Sequence, residues 1–242
     1  MTVWLIVGII MVAFLGEAMF GFAGGLIAVP LVSLLLGVKE AVTLVLIFQV
    51  LMGFLLIRSY RDIAWKAVGL LSVGLIIGSV IGTVSLVVVK ESILRLILAA
   101  FIFLFLAKTF FFNDLSFKKG SGGVLGGVAG ALGGLFHGMI GTGGPPFVMY
   151  LSEIKMEKVA FRATLILLLF ACNVLRVIAY GSMGLFTEPI LEASLPALPF
   201  FGVALVAGHR IHHLISEKVY RYSVYTLLFA AAVSLTLKGL LA

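Results

Sequence analysis

Apolar residues in this chain gather into eight long runs that are separated by short polar or charged gaps. The runs cover residues 3–36, 41–57, 67–89, 96–112, 124–151, 163–180, 195–208 and 222–237. Several of them reach the length of about 20 residues that one helical membrane crossing needs. The first and fifth runs are too long for a simple crossing, and glycines break each of them. The pattern predicts an all-α polytopic transmembrane bundle in which these two runs form hairpins or broken helices.

The composition places this bundle in lipid. Hydrophobic residues make up 62% of the 242-residue chain and charged residues 11%, and the mean hydropathy is +1.27. The net charge of +7 does not indicate a nucleic-acid partner, because the basic residues lie mostly in the short gaps, where they act as topology signals. The lone Cys172 lies inside a run, and we expect it to be a packed thiol.

An internal repeat divides the chain into two halves, which we place at 1–119 and 120–242. Residues 21–30 read GFAGGLIAVP and residues 141–150 read GTGGPPFVMY, 120 positions later. Four residues before each motif lies an ionisable side chain, Glu17 in one half and His137 in the other. A second ordered set recurs at a spacing of 126: Gly82, Glu91 and Arg95 match Gly208, Glu217 and Arg221.

The distribution of Lys and Arg bears on how the halves are oriented. If each broken run crosses once, the two sides of the membrane receive seven and nine basic residues, which decides nothing. If each broken run returns to its own side, the counts become twelve against four. The second count favours two inverted halves with both termini outside, the plan of many secondary transporters.

The glycine breaks are also the first candidate site. Unpaired backbone at membrane depth persists only inside protein or beside a wet cavity. If residues 26–36 and 146–151 restart as helices, their first turns present free N–H groups, a positive dipole end and the Thr142 hydroxyl, which suits an anion. The alternative is that these glycines only allow close helix packing, as we expect for Gly74, Gly78 and Gly82.

Three polar side chains inside the runs extend this candidate site. Arg176 cannot lose its charge and must face protein, water or an anion, unless it extends to the outer interface. Asn173 lies three residues earlier, on nearly the same helix face, and Gln49 lies in the corresponding run of the first half. Either amide could instead bond a neighbouring helix.

Glu17 and His137 are candidates for proton coupling, because they are ionisable, related by the repeat and next to the breaks. The alternative is that each bonds only nearby backbone. His209, His212 and His213 lie among basic residues, so we expect contact with lipid headgroups there and no metal site.

The paired motifs and the eight-run pattern resemble the TauE/SafE family of sulfite exporter-like membrane permeases over essentially the whole chain. The resemblance implies transport of sulfite, thiosulfate, sulfoacetate or other small organic anions across a prokaryotic inner membrane. It also implies that the motifs line the path: Gly21, Ala23, Gly24, Gly25, Gly141, Thr142, Gly143, Gly144 and Pro145. Many members carry three consecutive glycines, and Ala23 and Pro145 depart from that pattern.

An enzyme finds no support in the sequence, which carries no zinc-protease, nucleophile-elbow or strand-borne dinucleotide motif. We expect no cofactor. We interpret the chain as a permease of small anions that opens its path alternately to the two sides. A passive channel and an accessory subunit without flux of its own remain alternatives. The sequence leaves open the coupling ion, the direction of transport and whether the chain forms a homo-oligomer.

Overall fold

The computed structural model describes residues 2–20, 24–57, 62–111, 122–154, 156–211 and 217–241. These residues form eleven helices and no strand. In chain order the helices are α1 (Thr2–Phe20), α2 (Gly24–Ser33), α3 (Val38–Ile57), α4 (Trp65–Val88), α5 (Glu91–Phe111), α6 (Gly122–Ile140), α7 (Gly144–Glu153), α8 (Lys158–Ser182), α9 (Glu188–Ser194), α10 (Ala197–Ile211) and α11 (Glu217–Leu240). The predicted all-α class is confirmed.

Seven of these helices are long and apolar enough to cross a membrane, namely α1, α3, α4, α5, α6, α8 and α11. The pair α9 and α10 passes the same test as one span bent by 42°, which raises the number within the described residues to eight. The predicted eight apolar runs therefore correspond to real helical segments. Large apolar side chains such as Val73, Ile77 and Val80 are exposed on the outer face of α4, as lipid contact requires.

The predicted break in the second half is present between α6 and α7, the first one falls on residues 21–23 outside the described ranges, and both following helices start earlier than expected. We predicted restarts at residues 26 and 146, whereas α2 begins at Gly24 and α7 at Gly144. The observed helix starts precede the predicted ones because the glycines themselves form the first turn. In α7, Pro145 and Pro146 also fit helix positions that need no N–H donor. Gly141 has φ of 69°, a left-handed conformation that favours glycine and turns the chain at the break.

The described chain groups into two compact units. Unit 1 consists of Met1–Val45, Val89–Asn113 and Phe186–Ala242, and unit 2 of Leu46–Val88 and Asp114–Leu185. Each unit draws helices from both predicted halves. The repeat boundary at 119 and 120 therefore does not coincide with a unit boundary, and the division of the sequence into two repeats stays a prediction.

In unit 2, α4 and α6 pack backbone against backbone and run in the same direction. A Cβ on Gly74 would meet the carbonyl of Gly127, and a Cβ on Gly82 would meet the carbonyl of Leu135. Glycines of α6 approach α4 in the same way, so that Gly134 lies against the Leu75 carbonyl. The interpretation of the α4 glycines as packing residues is thus confirmed.

The helix α7 runs back along α6. Gly143 lies beside His137, Phe147 contacts Gly133, and further along Tyr150 contacts Gly126 near the start of α6. Apolar side chains of α7 complete a buried cluster with α4 and α8, formed by Ala67, Leu71, Leu75, Phe147, Tyr150, Leu151, Leu165, Leu168 and Cys172. The helix α8 runs in the same direction as α4 and therefore as α6. Because α7 runs back between them, α6 and α7 form a hairpin, and α8 starts at the end of unit 2 where α6 started.

In unit 1, α1 packs along α10 and α5 packs along α11. Trp4 contacts Phe200 and Leu15 lies by Gly208, so that α1 and α10 run in the same direction. The rings of Phe103 and Phe229 lie 5.9 Å apart, and Gly239 meets Leu96. The helices α5 and α11 therefore run in opposite directions.

Candidate functional site

A closed ring of hydrogen bonds surrounds the glycine break between α6 and α7. It starts at the Gly141 carbonyl, to which the Gln49 Nε2 donates at 3.0 Å. The other end of that amide, Gln49 Oε1, accepts from Arg176 Nη1 at 3.0 Å. One side of the break is thus joined to Arg176 through a single side chain.

The other side of the break reaches the same guanidinium. Arg176 Nη1 also donates to Asn173 Oδ1 at 3.2 Å, and this oxygen lies 2.8 Å from His137 Nε2. The second ring nitrogen, His137 Nδ1, accepts from the Gly143 N–H at 3.1 Å. We call this set the polar ring, and its members are Gln49, His137, Gly141, Gly143, Asn173 and Arg176.

The hydrogen bonds of the polar ring determine the tautomer of His137 and the orientation of the Gln49 and Asn173 amides. Because an N–H donates to His137 Nδ1, the proton of the neutral imidazole lies on Nε2, which donates to Asn173 Oδ1. Each amide oxygen is identified by the guanidinium that donates to it. The ring is therefore satisfied with a neutral His137 and one positive charge, that of Arg176.

The charge of Arg176 lies in the interior of the protein. Arg176 is 0% exposed, and Asn173 and His137 are also buried. An arginine that extended to the interface would be exposed, so that alternative is wrong for Arg176. The acceptors of its Nη1 are neutral amide oxygens, and these bonds orient the guanidinium.

Tyr180 supports the guanidinium from the next helical turn. Its hydroxyl accepts from Arg176 Nε at 3.4 Å and donates to the Gly138 carbonyl at 2.8 Å, while Arg176 Cζ lies 5.2 Å from the ring centre. Sequence reasoning missed Tyr180 because it lies at the end of an apolar run. Its spacing of four residues from Arg176 on one helix was the signal that could have identified it.

Thr142 lies within the break, between the two backbone groups that the polar ring holds. Its side chain is 4% exposed, and Oγ1 has no hydrogen-bond partner among the described residues. Gly144 and Pro145, two and three residues later, lie in the first turn of α7, and no described atom lies within contact distance of the position that a Gly144 side chain would take. A buried hydroxyl and a helix N-terminus therefore meet beside a permanent positive charge.

The first hairpin has a different chemistry at the corresponding place. The Glu17 carboxylate lies against Gly24, where α2 begins, so closely that a Cβ on Gly24 would overlap Oε2. This oxygen is buried and has no hydrogen-bond partner in the described ranges. Gly25 is also buried. The start of α2 thus already holds an acidic group of the protein.

The structure brings together six of the predicted site residues in the polar ring and places Thr142, Gly144 and Pro145 directly beside it. Glu17, Gly24 and Gly25 belong to unit 1. Gly21, Ala23, His212, His213 and the side chain of His209 lie outside the described residues. Cys172 is a packed thiol, as expected, and accepts from the Ser79 hydroxyl at 3.6 Å.

Comparison with known families decides the class of the protein. The family model described as sulfite exporter TauE/SafE matches residues 5–235. The chain belongs to the sulfite exporter TauE/SafE family. No curated protein and no solved structure matches the chain.

Membership of the TauE/SafE family makes this chain a multi-pass membrane transporter rather than an enzyme. The match covers both glycine breaks and every residue of the polar ring. The broad function expected from the sequence is thereby confirmed, and the polar ring is the main candidate site of this TauE/SafE transporter.

Proposed function

We propose that this TauE/SafE transporter is a permease for small organic or sulfur-containing anions, such as sulfite, thiosulfate, sulfonates or short carboxylates. The anion binds at Thr142 and Gly143, within the glycine break, where the positive charge of Arg176 attracts it. The protein works in a prokaryotic inner membrane with both termini outside, and exposes this site alternately to the two sides.

The observation that carries the proposal is the buried guanidinium held at a backbone break. A charge in a membrane span is costly, and such residues mark substrate pathways. Arg176 Nη1 bonds two neutral amides, and the break beside it supplies the N-terminus of α7 and a buried hydroxyl that has no partner among the described residues. Positive charge and donors converge there, as recognition of an oxyanion requires.

The packing within each unit supports the inverted repeat that alternating access needs. In unit 2, a Cβ on Gly82 would meet the Leu135 carbonyl and the Met139 backbone. In unit 1, a Cβ on Gly208 would meet the Leu15 carbonyl and the side chain of Met19. Leu15 and Met19 precede Leu135 and Met139 by 120 positions, the spacing of the glycine motifs.

Helix directions support the same plan. The last long helices of the two halves, α5 and α11, run in opposite directions, whereas halves related by an axis along the membrane normal would place them in the same direction. The side chains of Gln49 and Phe54 on α3 meet Arg176 and Phe170 on α8, so this related pair is also antiparallel.

Anion-dependent thermal stabilisation of the detergent-purified protein tests the proposal. Thiosulfate, sulfite, sulfoacetate, acetate and chloride are compared, and an anion at 100 times its Kd should stabilise by about 2.7 kcal/mol. Arg176→Gln should abolish the shift. Arg162→Gln is the matched control, because Arg162 lies on the same helix about 21 Å away along its axis. A folded wild-type protein that responds to none of these anions refutes the proposal.

Flux measurements separate a permease from the alternatives. In proteoliposomes a permease gives saturable thiosulfate uptake that accumulates against a gradient, whereas a channel only equilibrates the anion. A purified protein that binds the anion but gives no flux would be an accessory subunit.

A further inference from the structure

His137 accepts a hydrogen bond from a backbone N–H at the start of α7, where the proposed anion binds. The Gly143 N–H donates to His137 Nδ1 at 3.1 Å, and Gly143 is the N-cap of α7. N–H groups at the start of a helix are the usual donors to a bound anion. An anion at Thr142 therefore competes with His137 Nδ1 for this donor.

A proton on Nδ1 would end that competition. Protonation converts Nδ1 from an acceptor into a donor, so that it would face the Gly143 N–H as a second donor. The N–H must then turn to another acceptor, and the imidazolium gains a donor of its own. His137 Nε2 keeps its bond to Asn173 in either state.

The charges around His137 make its protonation depend on a bound anion. Among the described groups of the helices packed against α6, α8 presents Arg176, Tyr180 and Cys172 to this region, α4 presents the Ser79 hydroxyl, and α7 presents the Gly143 amide. Only Arg176 is charged in this set. A second positive charge at His137 is unfavourable so close to Arg176, whereas an anion bound at Thr142 and Gly143 offsets it.

We propose that the polar ring binds one proton, at His137 Nδ1, together with each anion. The Gly143 N–H passes from His137 to the anion as the proton arrives, and no bond other than the N–H bond at Nδ1 is formed. This inference rests on the proposed function and adds to it the coupled ion, the atom that carries it and the stoichiometry. Transport is then anion–proton symport, one proton for each anion.

Glu17 does not fill this role in the same way. It is related to His137 by the repeat, but its carboxylate lies at the start of α2, in unit 1. A proton on Glu17 would also raise the local charge by one, but it would not release the Gly143 N–H, which bonds His137. The structure therefore assigns the coupled proton to the second hairpin.

Proton uptake on anion binding tests the inference. Thiosulfate is the probe because its own protonation takes place only in strong acid, so that a proton taken up belongs to the protein. Purified protein in weakly buffered detergent solution is mixed with saturating thiosulfate at about pH 7, and a pH indicator reports the protons bound. We expect one proton per bound anion, and about tenfold tighter binding for each unit of pH decrease in the coupled range.

Two variants assign the proton. His137→Gln keeps an acceptor for the Gly143 N–H but cannot take the proton, so it should bind thiosulfate without proton uptake. Uptake that persists in His137→Gln and disappears in Glu17→Gln would overturn the inference and assign the proton to the first hairpin. The wild-type measurement decides even if a variant does not fold: thiosulfate binding without proton uptake refutes the coupling and leaves the anion site intact, whereas no binding refutes the proposed function.

Discussion

Replacing Thr142 by valine should stabilise the protein without ligand and weaken its response to anions. The Thr142 hydroxyl is buried and has no hydrogen-bond partner in the described part of the chain. An unsatisfied buried hydroxyl costs about 1–3 kcal/mol, and valine has nearly the same shape. Thr142→Val should therefore raise the free energy of unfolding by up to that amount, although the hydroxyl is the group we assign to the anion.

Thr164 provides a matched control in the same unit. It is 0% exposed, and its Oγ1 accepts from the Ala64 N–H at 3.0 Å. Thr164→Val leaves that N–H without its acceptor and should lower the free energy of unfolding by about 1–3 kcal/mol. The same substitution at two buried threonines should thus change stability in opposite directions, and the two variants should differ by about 2–6 kcal/mol.

Thermal unfolding in detergent, with and without thiosulfate, measures both effects. At this chain length about 1 kcal/mol corresponds to a melting-temperature change of about 2–4 °C. Thr142→Val should melt above the wild type without thiosulfate and lose most of the thiosulfate-dependent shift, whereas Thr164→Val should melt lower and keep that shift. A Thr142→Val protein that melts lower, or that keeps the full shift, would show that the hydroxyl has another role.

Three further predictions concern packing and the support of the site. Gly78→Ala should lower the free energy of unfolding by about 1–3 kcal/mol, because its Cβ would overlap backbone of α6. Gly69→Ala, in open space on the same helix, should raise the free energy of unfolding by about 0.5–1 kcal/mol. Equal denaturation midpoints for the two variants would contradict this prediction. Tyr180→Phe removes the hydroxyl that bonds Arg176 and should weaken thiosulfate binding in equilibrium titrations, so unchanged affinity would exclude a positioning role. Cys172 should resist maleimide in the native protein and react in dodecyl sulfate, whereas rapid native labelling would show that the buried thiol is reached from water.

Local signals in the sequence predicted the spans and the breaks. Apolar periodicity and run length identify a helix from adjacent residues, and a glycine pair inside a run marks a break without tertiary information. The candidate side chains were also visible, because a charged or amide group within an apolar run is conspicuous. Arg176 was selected on that ground, Asn173 for its spacing of three residues from Arg176, and His137 for its repeat relation to Glu17 beside the break.

The connection between these residues could not be predicted from spacing. Gln49 and Arg176 are separated by 127 positions, and His137 and Asn173 by 36, so no local period joins them. The ring closes because the chain turns at Gly141, between α6 and α7, and returns Gly143 to His137. For the same reason, the sequence did not predict which helices form each unit, since α1 packs against α10, which is far from it in sequence.

The pairing of α1 with α10 imposes an order on biosynthesis. The ribosome makes α10 about 190 residues after α1, which at about 5–20 residues per second is a delay of roughly 10–40 s. Unit 2 ends at Leu185, so its segments are all synthesised before α10 emerges. During that interval α1 remains in the membrane with Glu17 and without the neighbour that covers Ala18 in the finished protein. Until α10 is made, this face of α1 is therefore exposed to lipid or to an insertion factor. Chains stalled at about residue 190 should crosslink to such a factor through α1.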